Sequence, residues 1–269
     1  MKTAAKDTNK KIIQLQETAC SLAGNVCGPW LVSKEQQQKE LAILKRLIVY
    51  EHFFFVTDLR NYAMAHSGGI ERWLGYNENK FSMNDYFRIH HPSSLDVSLL
   101  KTSVWYELIC IGKLKTGFMK NSFTMRHALR HANGNYIWVK LTGMPFQMNK
   151  NGQVTECLNS FIIIGPYTNA TGITGFVNTD DEYDAAILPP LRTRSREILP
   201  FSVKEYDALK MMAENPCAVA DEIAALLSIE KSTLNTYKKR LLLKAREYTR
   251  LHFEEAVEVA LFFKQQGML

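Results

Sequence analysis

The sequence lacks the features of a secreted, membrane-spanning or zinc-stabilised protein. Its 269 residues include five cysteines, an odd number without a Cys-x-x-Cys pair, so neither a disulfide framework nor a zinc site is indicated. No apolar run approaches the ~18 to 20 residues that a membrane span requires. The polar, lysine-containing N-terminus is not followed by the apolar core of a signal peptide. We therefore expect a folded cytoplasmic protein with no membrane partner.

Signatures of catalysis are missing as well. The chain contains no Gly-rich phosphate loop, no nucleophile elbow, no His-Glu-x-x-His motif and no paired catalytic carboxylates. His90, His91, His127 and His131 invite a metal or haem interpretation. However, His127 and His131 stand four residues apart in a predicted strand, which separates their rings by about 13 Å, too far for one metal ion. We expect no enzymatic activity, no metal site and no cofactor.

The composition is that of a folded chain with a mild basic excess. Hydrophobic residues make up 46% of the sequence, which is enough to form a core. Lysine and arginine number 33 against 27 acidic residues, a net charge of +6 that suits an acidic partner such as DNA without requiring one. The length predicts one or two domains.

Changes in composition and hydrophobic periodicity divide the chain into five segments. Residues 1–33 are polar and interrupted by glycine, which predicts a flexible N-terminal arm. Residues 34–50 follow an N-cap at Ser33 and form an amphipathic lead-in helix. Residues 51–168 mix strand and helix patterns. Residues 169–197 contain Pro189-Pro190 and little periodicity, which predicts a linker, and residues 198–269 are helical throughout.

The mixed segment predicts a sheet whose last three strands are consecutive and antiparallel. Two turns containing Asn-Gly, around Gly134 and Gly152, favour hairpins because both residues tolerate positive φ. A helix over Leu95–Leu114 separates the early strands from the later ones. The predicted strands are Phe53–Asp58, Tyr62–His66, Ser122–His131, Tyr136–Gly143 and Val154–Ile164.

Together with this order of elements, three short sequence stretches resemble the PAS sensor family. They are Phe-Val-Thr-Asp at 55–58, Gly-Ile-Glu-Arg-Trp-Leu-Gly-Tyr at 69–76 and Gly-Asn-Tyr-Ile-Trp-Val at 134–139. The resemblance implies a PAS-like antiparallel sheet with flanking helices. The Asn-Cys-Arg signature of flavin photosensors is missing, which leaves open a small-molecule ligand of unknown identity. Six aromatic residues line either such a pocket or an ordinary core: Phe53, Phe55, Tyr62, Trp73, Trp105 and Trp138.

The last segment predicts a helix-turn-helix. Ser202 and Glu205 have capping-box spacing at the start of the first helix. A short second helix at 221–227 is followed by a turn and a third helix beginning at residue 231 or 232. At about 100° per residue, Leu234 shares an inward face with Leu241 and Ala245. The opposite strip is mostly polar and carries Asn235, Thr236, Lys239, Arg240 and Leu243.

These helices resemble a LuxR-type DNA-binding domain, on the strength of Glu-Ile-Ala at 222–224 and Thr-Leu-Asn-Thr-Tyr at 233–237. The resulting fold class is α+β, a PAS-like sheet domain followed by an all-α four-helix domain. The resemblance implies that Asn235, Thr236 and Lys239 face the major groove, and it assigns four residues to phosphates: Ser232, Thr233, Lys238 and Arg240. The family's Leu-Gly turn after Lys244 is absent, so we expect a longer third helix.

The resemblance further implies a homodimer on double-stranded DNA. The final helix, from Phe253 to about Gln265, carries more apolar residues than one buried face requires, which predicts a second face for another copy. The alternative is a helix buried entirely in its own domain. Ten basic and ten acidic residues balance over 198–269. That balance keeps open a different function, a signalling scaffold whose helical domain docks a protein.

Overall fold

The computed structural model describes residues 2–114, 116–120, 123–168 and 181–269. Contacts divide the chain into two compact units, the first built mainly from residues 2–91 and Lys101–Tyr167 and the second mainly from Leu188–Leu269 with Pro92–Leu100. No helix within the described ranges combines the length and apolarity that a membrane span needs. The first part of the chain forms α1 (Lys2–Gly24), α2 (Lys34–Leu47), β1 (His52–Asp58), β2 (Ala63–Gly68), α3 (Ile70–Leu74), α4 (Met83–Arg88), α5 (Pro92–Cys110), β3 (Phe123–Arg130), β4 (Tyr136–Met148) and β5 (Val154–Pro166).

The sheet of the first unit has five antiparallel strands in the order β2-β1-β5-β4-β3. The three consecutive strands predicted from the Asn-Gly turns are confirmed. Gly134 and Gly152 adopt φ of 94° and 79°, the positive values that those turns require. The first strand of the chain lies in the interior of the sheet, between β2 and β5, with the helices inserted between β2 and β3. The predicted α+β class with a PAS-like sheet is therefore confirmed.

Both faces of the central strand β1 are covered. Phe53 stacks on Phe161 of β5 at 4.4 Å between ring centroids, on the inner face of the sheet. Phe54 and the other outer-face residues pack in one cluster with Leu41 and Leu44 of α2. Ser33 accepts a hydrogen bond from the Gln36 amide and caps α2 as the sequence predicts. The lead-in helix thus covers part of the sheet's outer face.

The first 33 residues depart from the predicted flexible arm. Residues Lys2–Gly24 form a helix, and Ile12, Leu15, Ala19 and Ala23 are buried at helical spacing. The segment after α1 is also anchored, because the Leu31 amide donates to the Met148 carbonyl at 2.8 Å. The glycines and polar residues of this segment favour an arm, whereas its narrow stripe of apolar and small residues forms the buried side of a helix.

The predicted linker over 169–197 is corrected in its second half. Helix α6 (Asp181–Ile198) includes Pro189 and Pro190, although proline cannot supply the i→i−4 hydrogen bond. In the second unit Leu191, Ser195 and Leu199 are buried at intervals of four residues, which stabilises the helix through packing. Residues 169–180 lie outside the described part of the chain.

The second unit continues with α7 (Val203–Glu214), α8 (Ala220–Leu226), α9 (Lys231–Thr249) and α10 (Ala256–Gln265). Ser202 and Glu205 form the predicted capping box at the start of α7. Tyr206, Leu209 and Met212 lie at helical spacing on one face of α7 and are buried. Together these helices form the all-α four-helix domain that the sequence predicts.

Candidate nucleic-acid interface

Helices α8 and α9 are joined by a tight turn that fixes their crossing. The Ile229 amide donates to the Ala224 carbonyl and the Ser228 amide to the Ala225 carbonyl, both at 3.0 Å. This pair of bonds is a Schellman motif, and it places Ser228 in the left-handed region at φ 54°. Lys231 at the start of α9 reaches Asp221 of α8 at 2.8 Å and adds an exposed ion pair across the turn.

Helix α9 has the two faces predicted from its sequence. Leu234, Leu241 and Ala245 are fully buried in the domain core. The polar strip points to solvent: Asn235, Thr236, Lys239, Arg240 and Leu243 are all exposed. Among the residues that the structure describes, neither Lys239 nor Arg240 forms an ion pair. Their charges are therefore available to an external partner.

Not every cation of α9 is available in this way. Lys244 donates to the buried Glu205 carboxylate at 2.6 Å. Arg246 donates through its guanidinium to the Phe253 carbonyl and ties α9 to the segment before α10. Both side chains therefore hold α9 against its own domain, and they contribute less positive charge to an external partner than Lys239 and Arg240 do.

The Lys244–Glu205 pair joins the middle of α9 to the first turn of α7. The Glu205 carboxylate also accepts a hydrogen bond from the Ser202 amide at 2.8 Å. Burial by itself raises the pKa of Glu205, but the hydrogen bonds from Lys244 and Ser202 outweigh it and hold the pKa below its usual value of 4.5. The sequence indicated Glu205 as part of a capping box, and it did not reveal that Glu205 pairs with Lys244.

The four residues that the resemblance assigns to phosphates occupy different environments. Ser232 and Arg240 are exposed, whereas Thr233 and Lys238 are half-buried. Lys238 lines a cleft of about 360 Å³ together with Asn215, Glu254 and Glu255, away from the outer strip. The structure thus brings Asn235, Thr236, Lys239 and Arg240 onto one exposed surface with Ser232 at its start, and it sets Lys238 on the flank of the helix.

The hydroxyl proton of Thr236 already forms a hydrogen bond within α9. Its Oγ1 donates to the Ser232 carbonyl at 3.1 Å, so the oxygen remains available as an acceptor. A phosphate, which offers only acceptors, gains no hydrogen bond from this hydroxyl. A base amino group or a thymine methyl group fits it better.

The expected longer third helix is present as α9. α9 continues to Thr249 and ends at Arg250, which adopts the left-handed conformation with φ 61°. Glycine is the residue usually found at such a position, because its missing Cβ removes the steric penalty. The loss of the Leu-Gly turn therefore lengthens the helix by about one turn and leaves a strained arginine at its end.

The final helix contradicts the predicted second apolar face. Five of its residues, Ala256, Val259, Ala260, Phe262 and Phe263, are buried, and Val257 and Leu261 are half-buried. α10 packs against both α7 and α9, so a single helix fills two interhelical contacts inside its own domain. Its apolar content is explained without a second copy. The helix also begins at Ala256, three residues after the predicted start.

A buried histidine pair lies in the first unit. The rings of His90 and His127 stack at 4.5 Å between centroids and 12° between planes. Tyr86 contacts both, because its hydroxyl lies 3.2 Å from His127 Nε2 and its carbonyl 2.9 Å from His90 Nδ1. Burial lowers the pKa of His90 to about 4, and burial with the neighbouring His90 and Lys101 holds the pKa of His127 well below 6.5.

The stacked pair of His90 and His127 differs from the pair that the sequence suggests, His127 with His131. His131 lies beyond the end of β3, where its Nδ1 accepts a hydrogen bond from the Asn133 amide at 3.1 Å. Of these two histidines, only His127 is buried in the core. The segment 89–91 pairs with the edge of β3, since the His91 amide donates to the Ala128 carbonyl at 2.8 Å, and this brings His90 onto His127. In the described ranges, no three metal-ligating side chains gather around them.

The aromatic residues of the first unit form a packed core. Phe53, Phe55, Tyr62, Trp105 and Trp138 are buried. Trp105 packs on Phe123 at 4.6 Å between ring centroids, and Phe55 meets Tyr86 edge to face at 5.0 Å. Of the two interpretations, these contacts favour the ordinary core.

No protein-family model and no curated protein matches the chain. Among solved structures, a PAS domain from Colwellia psychrerythraea matches at 16% identity and TM-score 0.36, over 48% of this chain and 96% of that one. A VqmA dimer of Vibrio cholerae, described among LuxR-type receptors, matches at 12% identity and TM-score 0.28, over 86% of this chain and 87% of that one. A phage VqmA–DPO complex matches at 12% identity and TM-score 0.30, over 86% and 90%. These low values assign no function to this chain.

Proposed function

We propose that the protein is a DNA-binding transcriptional regulator in which α9 reads the major groove. The observation that carries the proposal is the exposed strip of Asn235, Lys239 and Arg240 on the second helix of a helix-turn-helix, with both cations unpaired among the described residues. A recognition helix presents such side chains to base edges and phosphates while its opposite face anchors it in the domain. Leu234, Leu241 and Ala245 provide that anchor.

Each side chain of the strip has a distinct role in this proposal. Asn235 pairs bidentately with adenine, and Lys239 donates to guanine acceptors. Arg240 and Ser232 hold phosphates, and Thr236 accepts from a base amino group. The half-buried Lys238 and Thr233 act at the flank, where phosphates pass the helix.

Regulation follows from the PAS-like unit. A signal received by residues 51–168 changes how two recognition helices of a homodimer are presented to DNA. It changes affinity only as far as it favours one arrangement over the other. No catalytic step is part of this proposal.

A scaffold that docks a protein through the helical domain is the second candidate. Two observations favour it, the balanced charge of residues 198–269 and the exposure of Leu226 and Leu243 on α8 and α9. Charge neutrality weakens the long-range attraction to DNA that most DNA-binding domains use.

Substitution of the two exposed cations separates the candidates. For a regulator, Lys239→Gln with Arg240→Gln should weaken binding to duplex DNA. The slope of log affinity against log salt should fall by about 1 for the lost Arg240 phosphate contact, and the lost Lys239 base contact should cost about 1 to 3 kcal/mol. Lys210→Gln is the matched control, because Lys210 is exposed on α7 and pairs with Glu214. A wild-type protein without DNA affinity at low salt supports the scaffold instead.

A further inference from the structure

One apolar side chain lies within the exposed polar strip of α9. Leu243 is 60% exposed, whereas Leu234 and Leu241 of the same helix are fully buried in the domain core. A single exposed leucine is ordinary on a protein surface. Leu243 differs from such a residue in its position, because its neighbours on the helix surface are the side chains that the proposed function turns towards DNA.

Leu243 continues the strip at regular helical spacing. Thr236, Lys239, Arg240 and Leu243 stand at positions i, i+3, i+4 and i+7 of α9, and all four are exposed. At about 100° per residue, Leu243 lies about 20° from Thr236 and about 40° from Lys239 around the helix axis. The recognition helix of homeodomains reads bases with four residues at this same spacing. When α9 lies in the major groove, Leu243 therefore faces base edges.

The residues beside Leu243 in the sequence hold α9 in its domain. Leu242 is half-buried and lines the cleft that also contains Lys238. Lys244 pairs with the buried Glu205. Packing within the domain therefore accounts for both neighbours and not for the exposed leucine between them.

The charge of the strip changes one turn after Leu243. Glu247 occupies the next exposed position of this face, and the phosphates of DNA repel its carboxylate. The base-reading part of the strip therefore ends at Leu243, which places this residue at the edge of the contacted site.

The major groove offers a leucine one apolar partner on the base edges, the C5-methyl group of thymine. The polar side chains of the strip pair with donors and acceptors, which a leucine cannot do. We propose that Leu243 contacts this methyl group and makes the protein prefer thymine at one position of its DNA site. The inference rests on the proposed function and deepens it, since it adds an apolar contact to the polar reading by Asn235 and Lys239.

The length of the helix sets where this thymine lies. At 1.5 Å per residue, Leu243 stands about 12 Å along α9 from Asn235. Base pairs follow one another at about 3.4 Å, so this distance corresponds to about three to four base-pair steps. The thymine should therefore lie about three to four base pairs from the adenine that Asn235 reads.

Fluorescence anisotropy of a labelled duplex tests the proposal with the full chain. The duplex carries a site that the wild type selects from random sequences, and each thymine of one half-site is replaced in turn by uracil, which lacks only the C5-methyl group. At the position read by Leu243, the wild type should bind the uracil duplex about fourfold more weakly, the equivalent of about 0.8 kcal/mol for one buried hydrocarbon group of this size. Leu243→Ala should bind both duplexes equally, because the truncation removes the methyl groups that make the contact.

Leu226→Ala is the matched control. Leu226 is similarly exposed (55%) but lies on α8, so this variant should keep the fourfold preference for thymine. Leu243→Ala should also keep the salt dependence of the wild type, because it loses no phosphate contact.

Two results would overturn this inference and leave the proposed function standing. One is a selected site without thymine at the expected distance from the adenine. The other is a set of uracil duplexes that affect the wild type and Leu243→Ala equally, which is also the result expected if Leu243 docks a protein. A wild type that binds no duplex DNA at low salt would contradict the proposed function, and this inference would fall with it.

Discussion

The ion pair between Lys244 and Glu205 links α9 to the first turn of α7. Replacing Lys244 with Met keeps most of the side chain's volume and removes its charge. Glu205, whose side chain is 3% exposed, would then be left as a buried carboxylate held only by Ser202. We expect the second unit to lose stability and the outer strip of α9 to lose its fixed orientation.

The expected loss lies between two limits. Removing one partner of a fully buried pair costs about 3 to 5 kcal/mol, and an exposed pair contributes less than about 1 kcal/mol. Because the Lys244 side chain is 34% exposed, water screens part of the interaction. An intermediate cost of about 2 kcal/mol follows. Since the pKa of Glu205 is depressed, this stabilisation is present above pH 4.5 and is lost as the pH falls below that value.

Amide hydrogen exchange in α7 and α9 measures this loss directly. All four tryptophans, Trp30, Trp73, Trp105 and Trp138, belong to the first unit, so their fluorescence provides an internal control that should not change. Lys244→Met should speed exchange in both helices about 30-fold, the equivalent of 2 kcal/mol. Adding Glu205→Gln to this variant should restore part of the loss. Equal exchange in Lys244→Met and wild type would refute the reasoning.

Three further predictions concern other parts of the chain. Arg250→Gly should raise the thermal stability of the second unit by about 1 kcal/mol, because glycine adopts φ 61° without strain; a lower melting temperature would contradict this. Leu234→Ala should lower the free energy of unfolding, measured by chemical denaturation, by about 2 to 5 kcal/mol, because Leu234 is fully buried. Leu243→Ala should lower it by less than about 0.5 kcal/mol, because Leu243 is 60% exposed. Equal losses would contradict the assigned faces of α9. Burial lowers the pKa of His90 to about 4, so the contribution of its neutral ring to stability is complete above pH 6.5 and falls as the pH approaches 4. Between pH 7.5 and pH 5, the tryptophan-monitored free energy of unfolding should therefore drop by about 2 kcal/mol more in wild type than in His90→Asn. Identical pH profiles of the two proteins would contradict this.

Local patterns in the sequence predicted much of the fold. The turns at Gly134 and Gly152 predicted the hairpins, and the capping spacing of Ser202 and Glu205 predicted the start of α7. Heptad-like spacing of Leu234 and Leu241 predicted which side of α9 is buried. These features depend on neighbours within a few residues, which is why they are readable from sequence.

Features that depend on distant residues were missed. His90 meets His127 only because residues 89–91 pair with the edge of β3, and Glu205 meets Lys244 from 39 residues away. Helix α1 also depends on distant residues, since Arg88 of α4 donates two hydrogen bonds to the Asn9 side-chain oxygen. The apolar surplus of α10 was assigned to a second copy because sequence does not show that two helices of the same domain cover it.

Selection of bound fragments from random duplex DNA, with wild type and Asn235→Ala compared at two salt concentrations, tests the central claim most directly. A regulator that reads DNA through α9 should enrich an inverted repeat whose half-sites stand about one helical turn apart. Asn235→Ala should lose the enrichment at the adenine position while it keeps salt-dependent binding to unselected DNA. No enrichment by the wild type at either salt concentration would contradict the account.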